Sequence, residues 1–221
     1  MMAVLRESRP LAPEVRHFDF EVPELERLEF LPGQFVSLTH NVEGKAITRA
    51  YSICSPPEGN RFSLCLNVVR EGHLSPFLFA MKEGESVAMS GALGTFTIRN
   101  PAGDMIWVAT GTGVAPFRAM WRHGGLTGKV TLILGARHET GLLYRDEWER
   151  AGLDFRPTLS RPAPDWKGRA GHVQAHVIEA AGGRRDLDVY VCGLKAMVDD
   201  TRAKLKAMGF DRKRIIHERY D

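Results

Sequence analysis

The pattern of apolar residues changes in the middle of the chain, at Asn100–Gly103. Before it, short β-branched and aromatic runs at 14–22, 33–39, 47–53 and 61–69 are separated by turn dipeptides, with one helix predicted over 75–81. Such strands are typical of an antiparallel barrel or sandwich. After it, strands alternate with amphipathic helices, which predicts a doubly wound parallel α/β sheet. We therefore predict two domains, 1–101 and 102–221.

The elements predicted for the second half follow from apolar periodicity. Met105–Thr110 is apolar without interruption, as in a strand that is buried on both faces. Further strands are predicted at 129–134, 153–159, 187–192 and 214–217, and helices at 115–123, 142–151 and 195–208.

Charge and composition narrow the classes of function. The chain has 221 residues and a net charge of +3, with 10 Lys+Arg against 12 Asp+Glu in 1–101 and 20 against 15 in the rest. The second half is therefore the expected site for an anionic ligand or an acidic partner. Nothing indicates a signal peptide, a membrane span or a nucleic-acid partner.

The cysteines and histidines give no metal or disulfide framework. Three separated cysteines indicate a reducing, cytoplasmic location. They lack iron–sulfur or zinc spacing, and the helical pair His172 and His176 has no evident third ligand. Any electron chemistry is then expected to use an organic cofactor.

Three segments carry candidate chemistry. Gly111–Pro116 joins a buried strand to a helix, where backbone N–H groups can bind pyrophosphate, although a bare GxG also fits a simple tight turn. Arg49 and Tyr51 share a strand face and could hold a phosphate and a flat ring, or be a surface Arg beside a half-buried Tyr. In Gly72–Ser75, Ser75 is predicted to cap the short helix.

The order of five motifs resembles the ferredoxin–NADP⁺ reductase family over nearly the whole chain. The motifs are Arg-x-Tyr-Ser at 49–52, Gly-x-x-Ser at 72–75, Gly-Thr-Gly-Val-Ala-Pro at 111–116, Cys-Gly-Leu-Lys-x-Met at 192–197 and Glu-x-Tyr at 218–220. The resemblance implies a β-barrel FAD domain, followed by an NADP(H)-binding domain, in a flavoenzyme that transfers hydride between NADPH and FAD. It also implies single-electron transfer to ferredoxin or flavodoxin, and we expect a monomer.

The resemblance also implies roles for individual residues. Ser52, Cys192, Glu218 and Tyr220 would be catalytic: Ser52 beside flavin N5, Cys192 and Glu218 ordering the nicotinamide, and Tyr220 covering the flavin. FAD would be held by Arg49, Ala50, Tyr51, Ser52, Asn67, Val68, Val69, Gly72, His73, Leu74, Ser75 and Tyr220. The dinucleotide would be held by Thr112, Gly113, Ala115, Pro116, Ser160, Arg161, Arg169, Cys192 and Gly193. Gly91–Phe96 resembles the strand and turn that close the barrel.

Two points depart from the family pattern or stay open. Tyr220 is followed by Asp221, so the aromatic residue is not terminal. Ser160, Arg161 and Arg169 suit an adenosine 2′-phosphate and favour NADPH, but the stretch 158–168 also resembles NADH-linked oxygenase reductases. The alternatives are therefore an NADH-dependent reductase component of an oxygenase or other multi-subunit system, and a flavin electron-transfer subunit without free turnover.

Overall fold

The computed structural model describes residues 1–220, so that Asp221 lies outside the described residues. The chain forms two compact units. The first combines Met1–Ile98 with Ala115–Gly124, and the second combines Arg99–Val114 with the described chain from Gly125 onward.

The first unit is an antiparallel sheet of six strands. The strands are β1 Met2–Ala12, β2 Val15–Glu21, β3 Phe35–Val42, β4 Lys45–Ser52, β5 Arg61–Asn67 and β6 Ser86–Met89, in the order β4-β3-β6-β1-β2-β5. Ile53, directly after β4, pairs with Leu64 of β5, and this bridge closes the sheet into the predicted barrel. Its interior is filled by alternating apolar residues such as Phe18, Phe20 and Leu38.

The strand predictions for this half need three corrections. Strand β1 was not predicted, because Arg6, Glu7 and Arg9 interrupt its apolar alternation and only Ala3 and Leu5 of the strand are fully buried. Gly91–Phe96 contributes a single bridge, Leu93 to Phe35, and no strand. Gly94 has a φ of 101°, which takes the backbone out of the extended conformation. Strand β6, which was also not predicted, pairs with β1 and β3.

Two helices belong to the first unit: α1 Leu74–Ala80 and α2 Ala115–His123. Helix α2 follows the nucleotide motif in sequence, yet it packs against the barrel. Phe117 meets Phe96 edge to face with ring centroids 5.7 Å apart. A Cβ on Gly33 would lie 2.6 Å from Met120 Cε and 1.9 Å from Phe96 O, so only glycine allows this approach.

A polar layer in the first unit, defined here as His17, Asp19, Cys54 and Ser63, is buried except at Asp19, which is half-buried. His17 Nε2 is 3.1 Å from Asp19 Oδ1, and Ser63 Oγ donates to the same carboxylate oxygen at 2.5 Å. The Cys54 Sγ is 3.8 Å from His17 Nδ1. Burial disfavours the charged imidazole, but the hydrogen bonds to Asp19 and Cys54 outweigh it and raise the pKa of His17 to about 9.

This layer predicts how stability changes at alkaline pH. The raised pKa of His17 stabilises the fold below its unfolded value of 6.5, and the contribution is lost as pH rises through about 9. The contribution of His17 to the free energy of unfolding is on the order of 3 kcal/mol. We expect the urea midpoint of the wild type to fall more between pH 7 and pH 10 than that of His17→Gln. Equal falls in both proteins would contradict the charged His17–Asp19 pair.

The second unit is a parallel sheet of six strands. They are β7 Met105–Thr110, β8 Val130–Ala136, β9 Asp154–Leu159, β10 Arg169–Ala170, β11 Asp188–Leu194 and β12 Ile215–Tyr220, in the order β10-β9-β8-β7-β11-β12. Its helices are α3 Arg145–Arg150, α4 Val173–Ala181 and α5 Lys195–Ala207. One apolar core joins α4 and α5 to Ile106 and Val108 of β7.

The predicted strands and helices of this half are present, with some differences in their bounds, and the short strand β10 and helix α4 were not predicted. Helix α4 was not predicted, because its buried stripe is only Val173, Val177 and Ala181 and no side chain caps its start. The last strand extends to Tyr220 rather than ending at residue 217, because it pairs with β11 over its full length. Among the described residues, no helix is long and apolar enough to cross a membrane.

Candidate active site

The first group of predicted site residues lies on strand β4. Arg49 and Tyr51 stand opposite Leu38 and Val36 of β3, and therefore share one face of the sheet, as the alternation predicts. Arg49 is exposed, and Tyr51 packs against the barrel core. Burial raises the pKa of Tyr51 to about 12, so the ring is a neutral phenol at physiological pH. Ala50, exposed, and Ser52, 6% exposed, alternate with them.

The second group follows strand β5, which ends at the exposed Asn67. The N–H of Val68 donates to Glu14 O at 2.8 Å, and the N–H of Gly72 donates to Val69 O at 2.8 Å. The prediction that Ser75 caps helix α1 is wrong: His73 is the N-cap residue and Ser75 the second helical residue. The hydroxyl of Ser75 instead accepts from the N–H of Val69 at 2.9 Å, which ties the turn to the helix.

These two groups fit a flavin dinucleotide. Helix α1 packs against β4, so the segment 67–75 adjoins the strand that carries Arg49 and Tyr51. A Cβ on Gly72 would lie 3.1 Å from Val69 O, which makes glycine the natural residue of this tight turn. The N–H groups of a helix's first turn have no acceptor within the helix and can bind phosphate oxygens. A ring that stacks on Tyr51 and a phosphate that pairs with Arg49 are thus both accommodated.

The third group lies at the carboxyl end of β7. The chain there forms a 3₁₀ turn, Gly111–Val114, in which Thr112 is half-buried and Gly113 buried. A Cβ on Gly113 would lie 2.3 Å from Cys192 O and 2.8 Å from Gly193 Cα. The turn therefore touches the end of β11, and Gly113 allows this contact. Ala115 and Pro116, also predicted to bind the dinucleotide, are the buried first residues of α2.

The predicted catalytic residues of this half meet at the same edge. Cys192 pairs with Glu218, and Leu194 with Tyr220, across β11 and β12. Burial, and then the nearby charge of Glu218, raises the pKa of the Cys192 thiol, while a hydrogen bond with Tyr220 opposes the shift. The thiol is therefore neutral at physiological pH, which excludes a thiolate nucleophile and suits a wall against which a ring lies.

The predicted phosphate-binding residues divide into two sets. The N–H of Ser160 donates to Ala136 O and that of Arg161 to Arg137 O, both at 2.9 Å, so Arg137 and Arg161 are neighbours at the carboxyl edge. Both are exposed, and no carboxylate of the described chain pairs with them. Arg169, on β10 opposite Thr158 of β9, is instead engaged by a carboxylate, with its Nη2 3.0 Å from Glu179 Oε1. Arg137 was not predicted; its position directly after an apolar strand was the available signal.

Two buried oxygens at this edge fit a bound dinucleotide. Thr110 Oγ1, at the end of β7, and Gln174 Oε1, in the first turn of α4, have no hydrogen-bond partner among the described residues. Unsatisfied buried acceptors are costly, and the amide or amine groups of a nucleotide would satisfy them. By contrast, no cluster of metal-ligating residues is found in the part of the chain that the structure describes. His176 Nε2 lies within 3.2 Å of Thr158 Oγ1 and Ala170 O.

Comparisons with known proteins agree with this geometry. Residues 2–98 match the oxidoreductase FAD-binding domain family, and residues 107–203 match the oxidoreductase NAD-binding domain family. The chain is 38% identical to ferredoxin--NADP reductase B of Sorangium cellulosum, over 96% of this chain and 94% of that protein. It is 29% identical to the toluate 1,2-dioxygenase electron transfer component of Pseudomonas putida, over 99% and 67%.

A solved reductase structure also resembles this chain over nearly its whole length. The Amycolatopsis cytochrome P450 reductase GcoB is 26% identical, with a TM-score of 0.88 over 99% of this chain and 68% of that one. A closed antiparallel barrel, a parallel nucleotide-binding sheet and glycine-lined anion turns together define a flavin-dependent reductase that uses a nicotinamide dinucleotide. The chain belongs to the ferredoxin–NADP⁺ reductase family, and it is an FAD- and NAD(P)-binding oxidoreductase.

Proposed function

We propose that this protein oxidises NADPH and passes the electrons singly to ferredoxin or flavodoxin. The observation that carries the choice of NADPH is the adjacent pair Arg137 and Arg161, which leaves two guanidinium groups without a carboxylate partner in the described chain. Guanidinium forks suit the dianionic 2′-phosphate that distinguishes NADPH from NADH. The 38% identity to a ferredoxin--NADP reductase supports the choice of acceptor.

The flavin supplies the electron chemistry when it is bound, because it takes a hydride and gives up electrons one at a time. The protein's residues bind and orient. Arg49 holds the flavin phosphate, Tyr51 stacks on the ring, and Ser52 offers a hydroxyl beside the reacting atom. The turn Gly111–Val114 holds the dinucleotide's pyrophosphate. Cys192 and Glu218 order the nicotinamide, with the thiol neutral throughout.

The domain division at residues 101 and 102 belongs to the same proposal. The family matches, which end at residue 98 and begin again at residue 107, support it. Helix α2 then belongs to the nucleotide domain by sequence, although it packs with the first unit.

Removing the Tyr220 ring should strengthen binding of oxidised NADP⁺. In our proposal this ring covers the flavin face that the nicotinamide needs, so Tyr220→Ser removes a competitor. An aromatic stack contributes about 0.5–1.5 kcal/mol, and we expect a Kd lower by about twofold to tenfold. A difference-absorbance titration measures it, with Tyr220→Phe as the matched control. Weaker binding by Tyr220→Ser would contradict the covering role.

The function is tested by purifying the protein, identifying the released cofactor and reducing the protein anaerobically with NADPH and NADH in parallel. We expect FAD and a preference for NADPH. A protein that takes up no flavin would overturn the proposal.

The acceptor is tested in steady-state assays with ferredoxin, flavodoxin and cytochrome c. If an acidic carrier docks on the basic second half of the chain, the rate of its reduction should fall steeply as the salt concentration rises.

A second candidate is an NADH-dependent reductase component of an oxygenase. The ion pair of Arg169 with Glu179 favours it, because one predicted phosphate ligand is already engaged. Equal kcat/KM values for the two dinucleotides would support this candidate.

A further inference from the structure

The residue Cys54 is fixed at every polar group of its backbone. Its N–H donates to Ser63 O at 2.8 Å, and its carbonyl oxygen accepts from Arg118 Nη1 at 2.9 Å. The preceding residue, Ile53, donates its N–H to Gln34 O at 3.0 Å. The chain directly after strand β4 therefore has little conformational freedom. Of these three hydrogen bonds, only the one from Arg118 is donated by a side chain.

The burial of Arg118 indicates that its side chain is kept for its hydrogen bond and not for packing. The residue is 4% exposed, and a guanidinium is costly to remove from water. Helix α2 already packs on the barrel through Phe117 and Met120, so an apolar side chain at position 118 would serve adhesion equally well. What an apolar side chain lacks is a donor of fixed geometry aimed at the Cys54 carbonyl.

The hydrogen bond from Arg118 to the Cys54 carbonyl matters because of what lies next to each residue in the chain. Ser52, buried at the end of β4, is separated from Cys54 by a single residue. Helix α2 begins directly after the turn Gly111–Val114. Within the first unit, one hydrogen bond thus ties helix α2 to the segment that carries Ser52, the residue proposed to lie beside the flavin.

We propose that Arg118 is a positioning residue for hydride transfer: it fixes the Cys54 peptide and thereby orients the Ser52 hydroxyl. The inference rests on the proposed function, because Ser52 has its role only there. Arg118 touches no reacting atom and acts through the peptide that it holds. Small displacements of an orienting group can slow a reaction about 100-fold, so the effect is expected on the rate rather than on dinucleotide affinity.

The first test follows amide hydrogen exchange in the full-length protein, with and without FAD. Arg118→Met should speed exchange in peptides covering residues 52–55 by about tenfold or more, because the anchored segment opens more often. Arg118→Lys, which keeps a cationic donor, should restore part of the protection. Arg122→Met, an exposed position one turn further along α2, is the matched control and should leave these peptides unchanged. Unchanged exchange in Arg118→Met would overturn the proposal.

The second test is a double-mutant cycle on the single-turnover rate of flavin reduction by NADPH. Ser52→Ala and Arg118→Met should each slow the step about tenfold or more, with the Kd for NADP⁺ within about threefold of the wild type. If Arg118 acts through Ser52, the double variant should be no slower than Ser52→Ala. The positioning role would be refuted if the two rate losses multiply in the double variant, or if Arg118→Met weakens NADP⁺ binding rather than slowing flavin reduction.

The design separates failure of this inference from failure of the function. A wild-type protein that NADPH does not reduce contradicts the proposed function. If NADPH reduces the wild type but the rate losses of Ser52→Ala and Arg118→Met multiply in the double variant, only the role of Arg118 is contradicted. If Arg118→Met does not retain FAD, Arg118→Lys enters the same cycle, and a slowed Lys variant whose loss multiplies with that of Ser52→Ala decides against the proposal.

Discussion

Gly113→Ala is expected to lower kcat/KM for NADPH by more than about 100-fold, a loss of about 3 kcal/mol in the range of severe overpacking. The added methyl would lie 2.3 Å from Cys192 O and 2.8 Å from Gly193 Cα. Both are backbone atoms, which cannot move aside as a flexible side chain could. The clash is relieved only if the turn Gly111–Val114 moves away from the end of β11. That movement displaces the proposed pyrophosphate site and the nicotinamide site together.

The neighbouring glycine provides the control for this prediction. Gly111 has a φ of 53°, but a Cβ there meets no atom within 4 Å. Gly111→Ala therefore tests the effect of backbone strain alone, which is about 1 kcal/mol. Flavin absorbance should be retained in both variants, since the clash lies outside the barrel. Comparable losses in the two variants would show that the contact with Cys192 is unimportant.

The second large effect is expected at the pair Arg137 and Arg161. A lost hydrogen bond to a charged group costs about 1.5–3 kcal/mol, so Arg161→Ala should lower kcat/KM for NADPH by about 10-fold to 150-fold. The value for NADH, which has no 2′-phosphate, should change little. Arg137→Ala should act in the same direction, and the double variant should approach equal use of both dinucleotides.

Arg169→Ala is the informative comparison for this pair. Its guanidinium pairs with Glu179, so its removal should change the NADPH/NADH ratio less than removal of Arg161. A ratio that is unaffected by Arg137→Ala and Arg161→Ala but altered by Arg169→Ala would contradict the role of this pair and leave Arg169 as the only predicted arginine at the phosphate site.

Much of the fold was predictable because it depends on local periodicity. The uninterrupted apolar strand Met105–Thr110 and the helix at 115–123 were predicted with the bounds that the structure has. Strand β1 was missed because its charged residues lie on an exposed stretch, where burial imposes no alternation. Helix α4 was missed because tertiary packing of three small or branched residues stabilises it, rather than a strong pattern of its own.

The candidate site was predictable in its residue types and less so in its contacts. Parallel strands present their carboxyl ends at one edge, so Gly113, Cys192 and Glu218 could be expected there together. The engagement of Arg169 by Glu179 depends on a helix that sequence reasoning did not find. The hydroxyl of Ser75 was assigned to a cap because a Ser near a helix start favours one, but the preceding turn competes for it.

The packing of α2 has a consequence for engineering hybrid reductases. The evident place to join halves of two related enzymes is near residue 101. A hybrid joined there would take its barrel from one parent and Phe117, Arg118 and Met120 from the other. Those side chains must fit Phe96, the Cys54 carbonyl and the space above Gly33. Exchangeable modules in this family should therefore be sought by matching that helix to its barrel, with the linker sequence as a secondary concern.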